Sequence, residues 1–149
     1  MSLTFIDKIF KSALSAGIML AVSHPLTYNF IENTFSKPGE LIVNGCPTMT
    51  GHLIHSIVFF VLIFAMMLLV GYTRPDTMRK SLGLLLKYSF YGTLIFFILT
   101  STEIYTLVNN FTNGTTADIN GCPTTMGLLL HTFIYFLVVF TVMLFPKDC

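Results

Sequence analysis

The stretch NGCPTMTGHLIHSIVFFVLIFAMML (44–68) returns as NGCPTTMGLLLHTFIYFLVVFTVML (120–144), and this repetition decides the fold. The two stretches align without a gap at a spacing of 76 residues, and about half of the aligned positions are identical. The same spacing pairs Phe35 with Phe111, well before each stretch begins. The repeated unit is therefore an apolar segment, a polar loop that ends in Gly-Cys-Pro-Thr, and a second apolar segment.

The composition places this unit in a membrane. The chain of 149 residues is 54% hydrophobic and 10% charged, with a mean hydropathy of +0.77. A soluble domain carries about 25% charged residues. The net charge of +1 argues against nucleic acid as a partner, because a basic surface is what binds the phosphate backbone. We expect one membrane domain over residues 1–149, with the lipid bilayer as its surroundings.

Four segments reach the length of about 20 mostly apolar residues that a membrane-spanning helix needs. They run roughly over 9–32, 50–72, 82–108 and 124–145. The sequence thus predicts an all-α integral membrane four-helix bundle made of two tandem-repeated transmembrane hairpins. Repeat 1 covers about 5–72 and repeat 2 about 81–148. Since each repeat supplies two spans, the copies should run in the same direction, related by an axis along the membrane normal.

The distribution of Lys and Arg predicts the orientation, because cytoplasmic loops carry an excess of both. In a four-span arrangement only Lys37 falls on one side. All other basic residues fall on the opposite side: Lys8, Lys11, Arg74, Arg79, Lys80, Lys87 and Lys147. We expect both termini on the cytoplasmic, positive side and both Gly-Cys-Pro-Thr loops outside.

Cys46 and Cys122 occupy matching positions in these loops, each followed by Pro and Thr where a helix should begin. Proline is favoured in the first helical turn, and a threonine hydroxyl can cap the free N–H groups there. Three states fit the two cysteines: a disulfide between them, a disulfide between subunits, or buried thiols. A free or intramolecularly paired state is favoured over an intermolecular one. Cys149 should be an unpaired thiol on the other side.

Asn110 and Asn113 begin two Asn-x-Thr sequons on the predicted outer side. They are candidate glycosylation sites, although motifs this short often arise by chance.

Four ionisable side chains fall in the outer half of the predicted spans: His24, His55, His131 and Glu103. Such groups are costly in a membrane and by default suggest a function. Three interpretations stand: hydrogen bonds to nearby backbone or hydroxyl groups, a proton or ion path, and a metal or haem site. The first is favoured. His52 has no counterpart, because position 128 is Leu, which argues against a duplicated metal site; we expect no metal and no other cofactor.

His24-Pro25 should bend the first predicted helix, because proline removes one backbone hydrogen bond. At the 76-residue spacing Pro25 aligns with Ser101, so we expect the break in the first copy only. Five tyrosines fall near span ends and are expected in an interfacial aromatic belt: Tyr28, Tyr72, Tyr88, Tyr91 and Tyr105.

The motif Gly-Cys-Pro-Thr-Thr-Met-Gly-Leu-Leu-Leu-His (121–131) resembles small two-span hairpin membrane proteins of unknown function encoded by giant DNA viruses. Those proteins look like one repeat unit, with a Pro-Thr-rich helix start and a Gly…His pattern opening the apolar helix. Here the unit occurs twice, and the first copy departs from it at Met49-Thr50 and His52. The resemblance implies a protein of a virion or infected-cell membrane, and it supplies no activity and no functional residue.

The chain has no nucleotide-binding loop, no nucleophile elbow, no paired carboxylates and no Cys-x-x-Cys, so we expect no enzyme. The leading hypothesis is a structural or assembly component of a viral membrane, which associates with itself or with other membrane or capsid proteins. The alternative is a small oligomeric ion or proton channel that uses the His/Glu cluster. A haem- or metal-binding electron-transfer protein is the third hypothesis.

Overall fold

In a computed structural model, residues 5–37, 39–72 and 81–145 are described, and this part of the chain is mostly helical. The expectation of an all-α fold is confirmed. Within these residues six helices follow one another: α1 (Phe5–Ser23), α2 (Pro25–Phe35), α3 (Met49–Tyr72), α4 (Leu82–Leu99), α5 (Thr102–Phe111) and α6 (Thr125–Leu144). A short antiparallel hairpin, β1 (Ile42–Val43) with β2 (Cys46–Pro47), lies between α2 and α3. Between α5 and α6 the equivalent pairing is one bridge, Ala117 with Pro123.

Three helices of the described chain, α3, α4 and α6, are long and apolar enough to cross a membrane. The second and fourth predicted spans correspond closely to α3 and α6. The first predicted span, 9–32, is divided between α1 and α2, and the third, 82–108, between α4 and α5. Each half therefore has the same order of elements: a helix, a short helix, a hairpin-like loop and a long apolar helix.

The helix break occurs in both halves, so the expectation of a break in the first copy only was wrong. α1 ends at Ser23, and His24 caps α2 by accepting a hydrogen bond from the N–H of Leu26 at 3.3 Å. In the second half the hydroxyl of Ser101 accepts from the N–H of Ile104 at 3.4 Å and caps α5. A side-chain acceptor at the N-cap is sufficient to restart a helix without proline.

The two breaks also change which residues correspond. His24 matches Ser101 and Pro25 matches Thr102, because these residues cap and begin the two short helices. Each match lies one position further along the chain than the 76-residue spacing of the Gly-Cys-Pro-Thr motifs. The segment between the break and the Gly-Cys-Pro-Thr motif is therefore one residue shorter in the second half than in the first, which restores the 76-residue spacing at these motifs.

The two halves interlock, because the first helix of each half packs mainly on the last helix of the other. α1 packs most extensively on α6, and α4 packs most extensively on α3. A matching contact marks each pair: the Ser12 hydroxyl lies 3.6 Å from the sulfur of Met143, and the Ser89 hydroxyl lies 3.5 Å from the sulfur of Met67. The hydrophobic core is thus shared between the halves.

Aromatic rings fill the middle of this core. Phe59 of α3 stacks on Phe96 of α4 at 4.2 Å between ring centroids, and Tyr135 of α6 meets Phe59 edge-on at 5.9 Å. The hydroxyl of Tyr135 donates to the carbonyl of Gly92 at 3.3 Å. Offset and edge-to-face pairs of this kind add to the free energy of burial.

Beside this apolar core the helices also bury polar side chains, and they expose large apolar ones. Fully or almost fully buried are Ser12, Ser15, Ser56, Ser89, Thr100, His52, His55 and His131. Large apolar side chains point outward along the same helices, among them Phe10, Ile57, Val61, Leu69, Phe90, Leu94, Leu129 and Phe133. A water-soluble helical domain turns its apolar face inward and a polar face outward, so the large apolar side chains on the outer faces of these helices do not fit such a domain.

Four basic residues behind the predicted orientation, Arg74, Arg79, Lys80 and Lys147, lie outside the described residues, as does Cys149.

Candidate functional site

The loops between the short helices and the long apolar helices meet at one end of the molecule, which we call the loop end. The hydroxyls of Thr48 and Thr124 cap α3 and α6 by accepting from Gly51 N and Gly127 N, both at 3.1 Å. The expectation that the preceding prolines open these helices was wrong. Since threonine takes the cap, Pro47 and its counterpart at 123 fall before the helix, in the strand pairing.

The glycine three positions after each capping threonine allows the loop to approach the helix closely. A Cβ placed on Gly51 would overlap the carbonyl oxygen of Leu41, and one placed on Gly127 would overlap that of Thr116. The same two carbonyls accept the backbone N–H of the capping threonines, Thr48 to Leu41 at 2.8 Å in the first half. Only a residue without a side chain fits there, so Gly51 and Gly127 allow each loop to pack directly on its helix.

In the first half a buried carboxylate holds the loop. Oε1 of Glu32, near the end of α2, accepts the backbone N–H groups of Gly39 at 2.8 Å and of Leu41 and Ile42 at 3.2 Å each. Hydrogen bonds to a charged acceptor are stronger than neutral ones. Glu32 therefore fixes the path of the chain into β1.

In the second half Asn109 has the same role. Its Oδ1 accepts the backbone N–H groups of Thr116 and Ala117, both at 2.9 Å. Sequence reasoning missed this correspondence, because the 76-residue spacing pairs Asn109 with Asn33 and not with Glu32. A polar residue at the end of each short helix was the available signal.

The structure brings Cys46 and Cys122 together as a disulfide with a Cα–Cα distance of 5.3 Å. Of the three states that the sequence left open, it shows the intramolecular pair. Asp118 lies beside this bond, and its carboxylate accepts the N–H of Cys122 at 2.9 Å. The ligand atoms of these three residues lie within 4.8 Å of one another, but sulfurs joined in a disulfide offer no thiolate to a metal.

Exposed polar groups surround this end. The Ser36 hydroxyl donates to the Glu40 carboxylate at 2.5 Å, and the N–H of Lys37 donates at 3.4 Å; these hydrogen bonds lower the pKa of the Glu40 carboxyl below its ordinary value. Asn110 and Asn113 are exposed, and glycosylation at them stays a prediction.

His55 and His131 lie at matching places in the interior, both 0% exposed. Nδ1 of His55 lies 3.2 Å from the carbonyl of Val22, and Nδ1 of His131 lies 2.9 Å from that of Leu99. Both carbonyls lie at the helix breaks, where the following turn no longer supplies an N–H. The histidines thus satisfy backbone groups that the breaks leave open, which agrees with the favoured sequence interpretation.

The other two members of the predicted cluster lie elsewhere. His24 and Glu103 are exposed, His24 as the cap of α2 and Glu103 in the first turn of α5. The structure therefore does not bring His24, His55, His131 and Glu103 together. The expectation treated each predicted span as one continuous helix, whereas His24 caps α2 and Glu103 lies in the first turn of α5, both beyond a break. His52, which has no counterpart, bonds the carbonyl of Phe97 at 3.0 Å.

Two tyrosines connect the histidines with a cavity. Tyr28 stacks on His55 with ring centroids 3.5 Å apart, and Tyr105 contacts His131 at 4.1 Å. Both tyrosines are buried, so their assignment to an interfacial belt was wrong. The other faces of their side chains line a cavity of about 120 Å³, which we call the loop-end cavity.

Matching residues of the two halves line the loop-end cavity. Ser23 and Thr100 come from the helix breaks, Tyr28 and Tyr105 from the short helices, and the disulfide from the loops. The cavity therefore lies between the halves, and each half contributes equivalent side chains to it.

Comparisons with protein-family models, characterised proteins and solved structures find no significant match to this chain.

Proposed function

We propose that the chain is an integral membrane protein with a structural or assembly role. The observation that carries this proposal is the burial pattern: serines, threonines and histidines are buried beside the apolar core, and large apolar side chains are exposed along the helices. In hydrocarbon, polar groups must find partners within the protein, while exposed apolar side chains cost nothing. The lengths and composition of α3, α4 and α6 support the same conclusion.

The broken helices complete a four-span bundle in this proposal. α1 with α2 forms the first span, and α4 with α5 forms the third. The halves are then parallel hairpins related by an axis along the membrane normal, with both termini cytoplasmic and the disulfide outside. An outside location suits the disulfide, since such bonds persist in oxidising compartments.

A structural role is supported by how firmly the halves are joined. They share a core, a disulfide links them, and each loop is seated on its own helix by a cap, a glycine and a side-chain acceptor. The resemblance of residues 121–131 to viral hairpin proteins suggests a virion or infected-cell membrane. The partners are then lipid, further copies of the chain, or other membrane and capsid proteins.

The membrane assignment is tested by placing a charge on the outer face. Val61 lies midway along α3 and is 56% exposed, so Val61→Lys would be harmless in water. At the centre of a membrane helix a lysine costs about 2.5–3.5 kcal/mol. We expect reduced membrane insertion in a carbonate-extraction assay, with Asn33→Lys at the exposed end of α2 as the control. Full insertion of both variants, or recovery of the wild type in the soluble fraction, contradicts the proposal.

A proton or ion path is the second candidate, favoured by one observation. The Nε2 atoms of His55 and His131 are buried without a protein partner among the described residues. In proteoliposomes with an enclosed pH dye, flux that is lost in His55→Ala and His131→Ala but kept in His24→Ala would favour this path. A proton flux into vesicles with the wild-type protein that equals the flux into empty vesicles would contradict the proton or ion path and favour the structural role.

A further inference from the structure

The disulfide has a carboxylate beside it, and backbone hydrogen bonds hold that carboxylate in place. The N–H of Asp118 donates to the carbonyl of Cys122, and Oδ1 of Asp118 accepts the N–H of Cys122, both at 2.9 Å. The same Oδ1 accepts the N–H of Asn120 at 2.9 Å, and no described residue donates a hydrogen bond to Oδ2. None of these bonds involves a sulfur. Asp118 and Cys122 therefore keep their relative positions whether Cys122 is oxidised or reduced.

Cys46 is also held by contacts that do not involve its sulfur. It pairs with Val43 in the short hairpin, and the threonine cap of α3 fixes the chain two residues further on. The Cα atoms of Cys46 and Cys122 lie 5.3 Å apart, and the core that the two halves share keeps the loops together. Reduction of the disulfide thus leaves two thiols and one carboxylate in the same place.

These three side chains are a ligand set that suits zinc. Their ligand atoms lie within 4.8 Å of one another. Zn–S bonds of about 2.3 Å and Zn–O bonds of about 2.0–2.2 Å place the corners of a tetrahedral site about 3.5–3.8 Å apart, so small side-chain rotations complete the geometry. Thiolates are soft ligands, which select Zn²⁺ over Mg²⁺ or Ca²⁺. Asp118 has no counterpart in the first half, since position 42 is Ile, so the molecule has one such set.

The surroundings leave room for the ion and for a fourth ligand. Asp118 is exposed and both cysteines are half-buried, so an ion can arrive from solvent. The cysteines also line the loop-end cavity, whose volume of about 120 Å³ exceeds the about 30 Å³ of one water molecule. A water molecule on that side completes four-coordination.

We propose that the reduced loop end binds one zinc-like divalent cation through the thiolates of Cys46 and Cys122 and the carboxylate of Asp118. A dithiol supplies two electrons and two protons to the sulfur–sulfur bond, is itself oxidised to a disulfide, and leaves two thiols. The cation then displaces the two thiol protons, which pass to water. The thiol form is also the one in which a new chain is made, before an oxidising compartment converts it to the disulfide. This site goes beyond the structural role, because the metal replaces the disulfide as the link between the halves.

The probe is Co²⁺, which occupies tetrahedral thiolate sites and absorbs light through thiolate-to-metal charge transfer. The full chain in lipid nanodiscs carries Cys149→Ser, so that only the two loop thiols contribute, and is reduced with a dithiol that is then removed under argon. We expect this absorption to saturate at one Co²⁺ per chain and to disappear when Zn²⁺ is added. The same protein with its disulfide intact should show no such absorption. The proposal is overturned if the reduced protein shows no charge-transfer absorption, or if the oxidised protein binds Co²⁺ equally well.

Two carboxylate variants of the same protein test the third ligand. Asp118→Asn keeps an oxygen that accepts the backbone N–H groups but loses the charge, and it should weaken Co²⁺ binding by at least about tenfold. Glu40→Gln is the matched control, because it removes another exposed carboxylate of the loop end and should bind Co²⁺ as tightly as the parent protein. Circular dichroism of each variant checks its helix content. Unchanged affinity in Asp118→Asn, or an equal loss in Glu40→Gln, would contradict the proposed site.

Discussion

Replacing Gly127 with Ala tests how the loop end is built. Gly127 lies in the first turn of α6, and a Cβ there would overlap the carbonyl oxygen of Thr116. That carbonyl accepts the N–H of Thr124 at 3.0 Å, so the loop cannot retreat without stretching the bond. The substitution therefore sets the new methyl group against a hydrogen bond that anchors the loop.

The expected cost follows from three contributions. Overpacking of a well-packed site costs about 1–3 kcal/mol. Loss of the bond between Thr124 and Thr116 adds about 1 kcal/mol. Alanine recovers about 1 kcal/mol through its higher helix propensity. The free energy of unfolding should thus fall by about 1–3 kcal/mol.

Thermal unfolding in lipid nanodiscs, followed by circular dichroism at 222 nm without reductant, measures this loss. For a chain of this size about 2–4 °C corresponds to 1 kcal/mol, so Tm should fall by about 2–12 °C. Gly17→Ala is the control, because that glycine lies in α1 with no atom within 4 Å of an added Cβ. It should leave Tm unchanged or raise it. A Gly127→Ala protein as stable as Gly17→Ala would refute the reasoning, and Gly51→Ala should behave like Gly127→Ala.

Substitutions at three further places, Glu32, the disulfide and His131, probe the loop end and the breaks with the same unfolding assay. Glu32→Ala leaves three N–H groups unbonded and should lower the free energy of unfolding by about 2–4 kcal/mol. Glu32→Gln keeps an oxygen acceptor and should cost less than half of that. Equal losses in the two variants would show that the acceptor does not hold the loop. The double variant Cys46→Ser, Cys122→Ser removes a link between residues 76 positions apart and should lower the free energy of unfolding by up to about 4 kcal/mol. Reduction should change the gel mobility of the wild type and leave that of the double variant unchanged. His131→Leu leaves a buried carbonyl without a hydrogen-bond donor and should lower the free energy of unfolding by about 1–3 kcal/mol. His24→Ala removes an exposed cap and should cost about 0.5–1 kcal/mol. The opposite order would contradict the role given to the buried histidine.

The features that the sequence predicted are those set by local composition. Long apolar runs located α3 and α6, and the threonine caps and the pairing of the cysteines were among the expected arrangements. The second break was missed because Ser101 acts through a side-chain hydrogen bond that a hydropathy pattern does not register. The Glu32 and Asn109 contacts were missed because they depend on where the loop returns, which one-dimensional spacing does not give.

Several of the positions at which the two halves are identical lie where the halves meet each other or where a loop sits on a helix. Gly, Cys, Pro and Thr of the motif, with the glycine three positions after that threonine, form the disulfide, the caps and the close approaches. Elsewhere the halves reach one geometry with different chemistry, as His24 and Ser101 show at the breaks. A cap needs only an acceptor at the right place, whereas a contact against a carbonyl accepts no side chain at all. The positions that accept no other side chain are therefore among those that are alike in the two halves, and the glycines, cysteines and prolines of the Gly-Cys-Pro-Thr motifs line the loop-end cavity.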